Sequence, residues 1–326
     1  MQGPHSICLL NDSFPPLIDG VANTVVNYAQ ELTKLGDQAI VVTPEHPDAD
    51  DRRFSFPVAR YPSVDTRKLF GYLAGYPFSP ETLRQLKELK VDLLHSHCPV
   101  MSTILARSIR EVIDAPLVFT YHTKFDVDVA KLIRGKLLQE SALYLLASNI
   151  SACDEVWVVS RGAGQNLRSI GYHGDYHVME NGVDMPRGRV SEAEVVAATA
   201  DYDLPEGVPV FLFVGRMMWY KGLRIILDAL KLLQAGGQDF RMVFIGGGAD
   251  AAAVQEYARP LGGKCIFTGA ISRRETLRAW YCRADLFLFP SSYDTNGLVV
   301  REAAACSLGS VLIGGSCAAE GITDGV

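Results

Sequence analysis

PSSYDTNGLVVREAAAC, residues Pro290–Cys306, is the stretch from which the rest of the chain is best read. A short apolar run, Ala284–Phe289, precedes it and reads as a buried strand. The small-residue helix that follows is predicted to start near Gly297. Asp294 lies in the intervening loop and Glu302 a turn or so into the helix. Between them, Asn296 and Gly297 stand at a helix N-terminus, where unpaired backbone N–H groups and the helix dipole favour a phosphate. Anion-binding amides with a carboxylate on either side suit a sugar nucleotide, with the diphosphate on the amides and hydroxyls on the carboxylates.

The same strand–loop–helix unit recurs upstream. Val210–Val214 is a buried strand, followed by GRMMWYKGLRIILDALKLL. Gly215 and Gly222 frame its turn, which carries Arg216 and Lys221, and Leu223, Ile226, Leu227, Leu230 and Leu233 form the core face of the helix. Two cations at a helix start point to an anion site, with Arg forking onto two oxygens and Lys adding a point charge. The plainer alternative is a solvated surface pair. Phe240–Ile245 is the next strand and enters GGGADAAAVQEYA, where Gly246, Gly248 and Ala251 match G-x-G-x-x-A. A dehydrogenase would place an acidic residue at the end of the following strand, Cys265–Thr268, and none is there. Gly269-Ala270-Ile271 then turns into a helix over Arg273–Cys282.

The first half obeys the same grammar. Ser6–Leu10 is a strand, Pro15-Pro16 marks a loop, and after Asp19-Gly20 the residues Val21, Val25, Tyr28, Ala29 and Leu32 recur at helical spacing until Gly36. Gln38–Thr43 completes a βαβ unit, and its repetition signals doubly wound sheets. Gly20 is either a turn glycine or a point where a ligand approaches the backbone. Strands are expected at Val91–His95, Leu117–Tyr121, Glu155–Ser160 and Tyr176–Met179, with a long helix over Val129–Ala152 interrupted only by Gly135. His95 and His97 sit at i, i+2 with no third metal ligand in view, so they read as structural or loop histidines. His122 stands just past a strand's C-terminal end, where open α/β sheets bind ligands. Pro44–Pro80 contains TRKLFGYLAGYPF and reads as a surface loop with a short helix. Arg67, Lys68, Phe70, Tyr72, Leu73 and Tyr76 would alternatively make a basic, aromatic membrane-touching surface. ENGVD closes the first half, and Arg187–Pro209 reads as a linker with one short helix. The boundary falls near Pro186, giving domains 1–186 and 187–326.

Two domains also suit 326 residues, and 48% apolar with 21% charged residues describes a well-cored globular chain. A net charge of −6 argues against nucleic-acid binding. Seven cysteines without a C-x-x-C pair indicate neither a zinc ribbon nor a disulfide framework. The apolar start Ile7–Leu10 is broken by Asn11 and Asp12, unlike a signal peptide, and no apolar run is long enough to span a bilayer. A soluble, cytoplasmic protein is the expectation.

PPLIDGVANTVV, TYHT, ENGVD, VGRMMWYKG and the paired carboxylates, in that order, cover nearly the whole chain. Together they make it resemble the retaining glycosyltransferases of the family 4 type. The resemblance implies an α/β fold of the GT-B type, with two facing Rossmann-like domains. It also implies transfer of a hexosyl unit from a UDP- or GDP-sugar to an acceptor hydroxyl, with no metal or other cofactor. It assigns Arg216 and Lys221 to the leaving diphosphate, and Asp294, Asn296, Gly297 and Leu298 to the donor sugar and diphosphate. Glu302 would hold the ribose hydroxyls, Gly20 would lie near the diphosphate, His122 beside the transferred sugar and the backbone around Ile271 against the base. Gly246, from the G-x-G-x-x-A match, is counted with the donor-binding residues. Two residues depart from the family pattern: Asp294 replaces the usual Glu, and Thr295-Asn296-Gly297 replaces Gly-Phe-Gly. Relatives usually continue for several more helices, so an incomplete second domain is expected. DGVANTV, TYHTKFD and YDTNGLVVREA look like transferases that glycosylate diacylglycerol-type lipids, with peripheral contact at the inner membrane face. A saccharide acceptor and a catalytically inactive sugar-nucleotide sensor are the alternatives.

Overall fold

The computed structural model describes residues 4–17, 19–66 and 73–325, apart from the side chain of residue 131. It divides into two compact units, Met1–Gly182 and Val183–Val326. The division falls four residues before Pro186.

In the first unit, seven parallel strands form one sheet. They are β1 (Ser6–Leu10), β2 (Gln38–Pro44), β3 (Val58–Tyr61), β6 (Leu93–Ser96), β7 (Leu117–Tyr121), β8 (Glu155–Val158) and β9 (His177–Val178), in the order β3-β2-β1-β6-β7-β8-β9. A separate antiparallel pair joins β4 (Ser63–Asp65) to β5 (Leu73–Gly75). The central strands are continuous apolar runs because helices cover both faces of such a sheet; all five residues of β7 are buried. The helix Gly20–Lys34 begins as its sequence requires: the Asp19 carboxylate accepts the Ala22 N–H at 2.8 Å, and Ala22, Val25 and Ala29 face the core.

Three expectations are refined here. The long helix predicted over Val129–Ala152 is two helices, Phe125–Leu132 and Lys136–Ser151, because Gly135 adopts φ 98°, which no helix accommodates. The last strand contracts to His177–Val178. Of the basic, aromatic surface read as an alternative over 67–76, Arg67, Lys68, Phe70 and Tyr72 lie outside the described residues, while Leu73 is buried in β5 and Tyr76 is exposed.

The second unit holds a five-stranded parallel sheet of β10 (Val210–Val214), β11 (Arg241–Ile245), β12 (Cys265–Gly269), β13 (Leu286–Phe289) and β14 (Ser310–Leu312), ordered β12-β11-β10-β13-β14. Between β10 and β13 the order reverses, creating the switch point at which open α/β sheets bind ligands. The segment 187–209, expected as a linker, belongs to this unit's core. Its helix Glu192–Thr199 opens with a Ser191–Glu194 capping box, Val195 is buried, and Tyr202 meets Trp280 edge-on at 5.1 Å. Among the described residues no helix is long and apolar enough to cross a membrane.

Candidate active site

The loops that leave the C-terminal ends of β10, β11 and β13 are in backbone contact. A side chain on Gly246 (φ 137°) would put its Cβ 2.0 Å from the Gly215 carbonyl oxygen, and one on Gly222 (φ 79°) would meet the Pro290 carbonyl at 2.1 Å. Glycine is therefore required at both positions, by left-handed geometry and by lack of room. The Met217 N–H donates to the Gly247 carbonyl at 2.8 Å, and Asp250 accepts the Trp219 N–H at 2.9 Å. These contacts hold the Arg216–Lys221 turn against the loop that carries Asp294.

Lys221 and Asp294 meet there at 2.6 Å, with both side chains largely buried. A second oxygen of Asp294 accepts the N–H groups of Thr295 at 2.8 Å and Gly297 at 3.3 Å. Burial pushes the Asp294 carboxyl up, but the Lys221 charge and the hydrogen bonds from Lys221, Thr295 and Gly297 outweigh it, leaving the group below the usual carboxylate range. One of the two amides expected to face a diphosphate, that of Gly297, thus holds a carboxylate of the chain itself. Gly297, at φ 63°, precedes the helix Leu298–Ala305, and no side chain caps that end. Arg216 is exposed on the same turn, and its guanidinium has no hydrogen bond or ion pair among the described residues.

Glu302 lies one turn into that helix and is 8% exposed. Arg274 donates to one of its oxygens at 2.9 Å, and the Tyr281 hydroxyl to the other at 2.8 Å. The Arg274 guanidinium also reaches the Asp184 carbonyl at 2.7 Å. An ionised carboxylate has about four acceptor positions, so these two bonds leave room for further donors. Burial and the neighbouring Glu302 charge push the Tyr281 phenol well up, so it stays a donor. Neither Arg274 nor Tyr281 was singled out by the sequence. Ile271 follows β12 and packs, half-buried, on the core.

In the first unit, His122 directly follows β7 and is 6% exposed. Its Nε2 lies 2.9 Å from Nδ1 of His97, and its Nδ1 is 3.4 Å from Nδ2 of Asn181. His95, at the end of β6, places Nε2 2.7 Å from the Thr120 hydroxyl. The Tyr28 ring lies against both His95 and His97, whose own rings are tilted at 33° with centroids 4.1 Å apart. Burial lowers the imidazole pKa values of His95 and His122 to about 3, and that of His97 well below its ordinary value. All three rings are therefore neutral near pH 7. His97 touches the candidate site residue His122. Gly20 opens the helix Gly20–Lys34 with free space where a side chain would project. Asp12, at the end of β1, accepts the N–H groups of Met101 at 3.0 Å and Ser102 at 2.6 Å, capping the helix Met101–Ile113 from outside its own sequence. No group of three or more potential metal ligands occurs among the described residues.

Two Rossmann-like units, the second with cations and a glycine-opened helix gathered at its switch point, define a glycosyltransferase of the GT-B type. The chain belongs to Glycosyltransferase Family 4, whose model matches residues 18–187, and the Glycosyl transferases group 1 model matches residues 208–326. It is a hexosyltransferase. It is 24% identical to an alpha-monoglucosyldiacylglycerol synthase of Streptococcus pneumoniae, over 92% of this chain and 69% of that protein. It is 27% identical to sulfoquinovosyl transferase SQD2 of Arabidopsis thaliana, over 94% of this chain and 59% of that protein. With a GDP-mannose-dependent alpha-mannosyltransferase of Mycobacterium tuberculosis it shares 28% identity, over 93% of this chain and 77% of that protein. Its fold is that of Anabaena Alr3699/HepE in complex with UDP and glucose, at a TM-score of 0.76 and 17% identity, covering 99% of this chain and 84% of that one.

Proposed function

We propose that this chain transfers a hexosyl unit, with retention, from a UDP- or GDP-sugar to a hydroxyl of a diacylglycerol-type lipid, working from the cytoplasmic side at the membrane surface. The observation that carries the donor half of this reading is the backbone contact of Gly215 with Gly246 and of Gly222 with Pro290. These contacts bring Arg216, Lys221 and the N-terminus of helix Leu298–Ala305 to one end of one sheet.

In this reading the diphosphate lies on Arg216, Lys221 and the amides around Gly297 and Leu298. The cations stabilise the negative charge that grows as the sugar bond breaks, so no metal is required for leaving-group departure. Asp294 holds Lys221 in place and takes sugar hydroxyls, with Asn296 beside it. Glu302, fixed by Arg274 and Tyr281, takes the ribose hydroxyls. The base lies along the backbone at Ile271, and His122 faces the transferred sugar as a neutral imidazole. No second carboxylate stands out as a covalent nucleophile, so the acceptor attacks from the face the leaving group vacates.

The lipid acceptor is supported by the alpha-monoglucosyldiacylglycerol synthases of Streptococcus pneumoniae and Acholeplasma laidlawii, each 24% identical to this chain. The mannosyltransferases among the relatives support a GDP-sugar donor equally well. The test is a thermal-shift panel of UDP- and GDP-sugars, followed by transfer assays with diacylglycerol in vesicles and with soluble saccharides. Selective stabilisation by one donor and a glycolipid product are expected. Transfer to saccharides alone would overturn the lipid acceptor, and no stabilisation by any donor would overturn the site.

A further inference from the structure

Of the His97–His122–Asn181 chain, only His122 enters the reaction described above; His97 and Asn181, which hold its two ring nitrogens, have no part in it yet. All three side chains are buried, at 3%, 6% and 5% exposure. His122 is held at both ring nitrogens, by His97 at 2.9 Å and by Asn181 at 3.4 Å. His97 Nε2 and Asn181 Oδ1 are buried without a hydrogen-bond partner among the described residues. Buried polar atoms left unpaired cost stability, so a purely structural cluster would be expected to close its own network. Aligning a ring at both nitrogens is, by contrast, what fixing one tautomer requires.

We propose that His97 and Asn181 are positioning residues that hold His122 in a single ring orientation and a single tautomer. The Asn181 amide N–H donates to Nδ1 of His122, so the His122 proton sits on Nε2 and is donated to Nδ1 of His97. His97 then carries its own proton on Nε2. The arrangement keeps both rings neutral and directional, and it leaves the face of His122 as the part that meets a sugar. The catalytic consequence rests on the proposed place of His122 beside the transferred sugar; the tautomer assignment does not.

The experiment labels the histidines of the full chain with 15N and records long-range ring correlations, assigning His122 by its loss in His122→Gln. Wild type should show an unprotonated Nδ1 and a protonated Nε2 at His122. His97→Leu and Asn181→Leu should each give exchange-averaged nitrogens. His97→Asn, which returns an acceptor near the position of Nδ1, should restore the wild-type pattern, and it remains a valid probe if the leucine variants fail to fold. Release of nucleoside diphosphate is followed with whichever of UDP-glucose or GDP-mannose the wild type turns over. There, His97→Leu should lower kcat about 10- to 100-fold with little change in the donor KM, the scale of a misplaced group, and His97→Asn should recover most of it. A His122 proton on Nδ1 in wild type, or an unaltered His122 pattern in the variants, would overturn the proposal. If the ring signals behave as expected but His122→Ala turns over normally, the tautomer assignment stands and the catalytic place of His122 falls.

Discussion

The Lys221 ammonium lies 2.6 Å from an Asp294 carboxylate oxygen, inside a shell of the Tyr220 and Phe289 rings. The pair is a local neutralisation at the centre of a site assigned to a dianionic leaving group. Asp294→Asn keeps the shape and removes one negative charge. We expect it to bind UDP or GDP roughly tenfold more tightly, because an unscreened charge a few ångströms away is worth a kcal/mol or more, while turnover falls. Titration calorimetry with each nucleotide reads this directly, and weaker product binding in the variant would place the diphosphate elsewhere.

Arg216 differs from Lys221 in being exposed and without a partner among the described residues. Arg216→Ala should therefore leave the unfolding free energy within about 0.5 kcal/mol of wild type, yet lower kcat by roughly two to three orders of magnitude. Lys221→Ala should match that loss of rate and also cost stability, since it strands the Asp294 charge in a buried place. A chelator should not change the wild-type rate. Near-normal rates in both variants would sink the assignment of the two cations.

Glycine substitutions separate the roles of Gly20 and Gly246. A methyl group at Gly246 would collide with the Gly215 backbone at a positive φ, so Gly246→Ala should destabilise the second unit by more than about 2 kcal/mol and abolish activity. At Gly20 the same methyl meets nothing, at the first position of a helix. Gly20→Ala should keep or slightly raise stability while weakening donor binding, if the diphosphate approaches that backbone. A fully active Gly20→Ala enzyme would remove Gly20 from the donor site.

Most of the strand and helix pattern was legible because a parallel sheet demands apolar runs separated by helices of period 3.6. The opening stretch could be read locally as well: Gly297 sits where a helix must begin, and Asp294 and Glu302 flank it. What escaped depends on distance along the chain. His97 meets His122 across 25 residues, and Tyr281 and Arg274 reach Glu302 across 21 and 28. No local period encodes such pairs, so His97 read as a structural or loop histidine and Arg274 was not singled out. The 187–209 segment misled for a related reason. Its composition is that of a linker, and the residues that tie it to the core, Val190, Val195, Tyr202 and Leu204, are widely spaced along it.

The buried imidazoles of the first unit set its response to acid. His95 and His122 titrate near 6.5 when unfolded but only at about 3 when folded, and burial moves His97 in the same direction. Between those values the unfolded chain binds protons that the folded chain refuses, so stability rises with pH. Stability is complete above about pH 6.5 and is lost as the pH falls, by about 1.4 kcal/mol per pH unit for each histidine. Together the three should remove roughly 4 kcal/mol per unit once all are protonated in the unfolded chain. Hydrogen exchange at the β7 amides, followed from pH 7.5 to 5 after correction for the intrinsic rate, reads this unit separately from the other. The decline should be steep in wild type and about one-third shallower in His97→Asn. Protection that stays flat through this range would mean that the rings accept protons in the folded state, and the neutral cluster beside the candidate site would not exist.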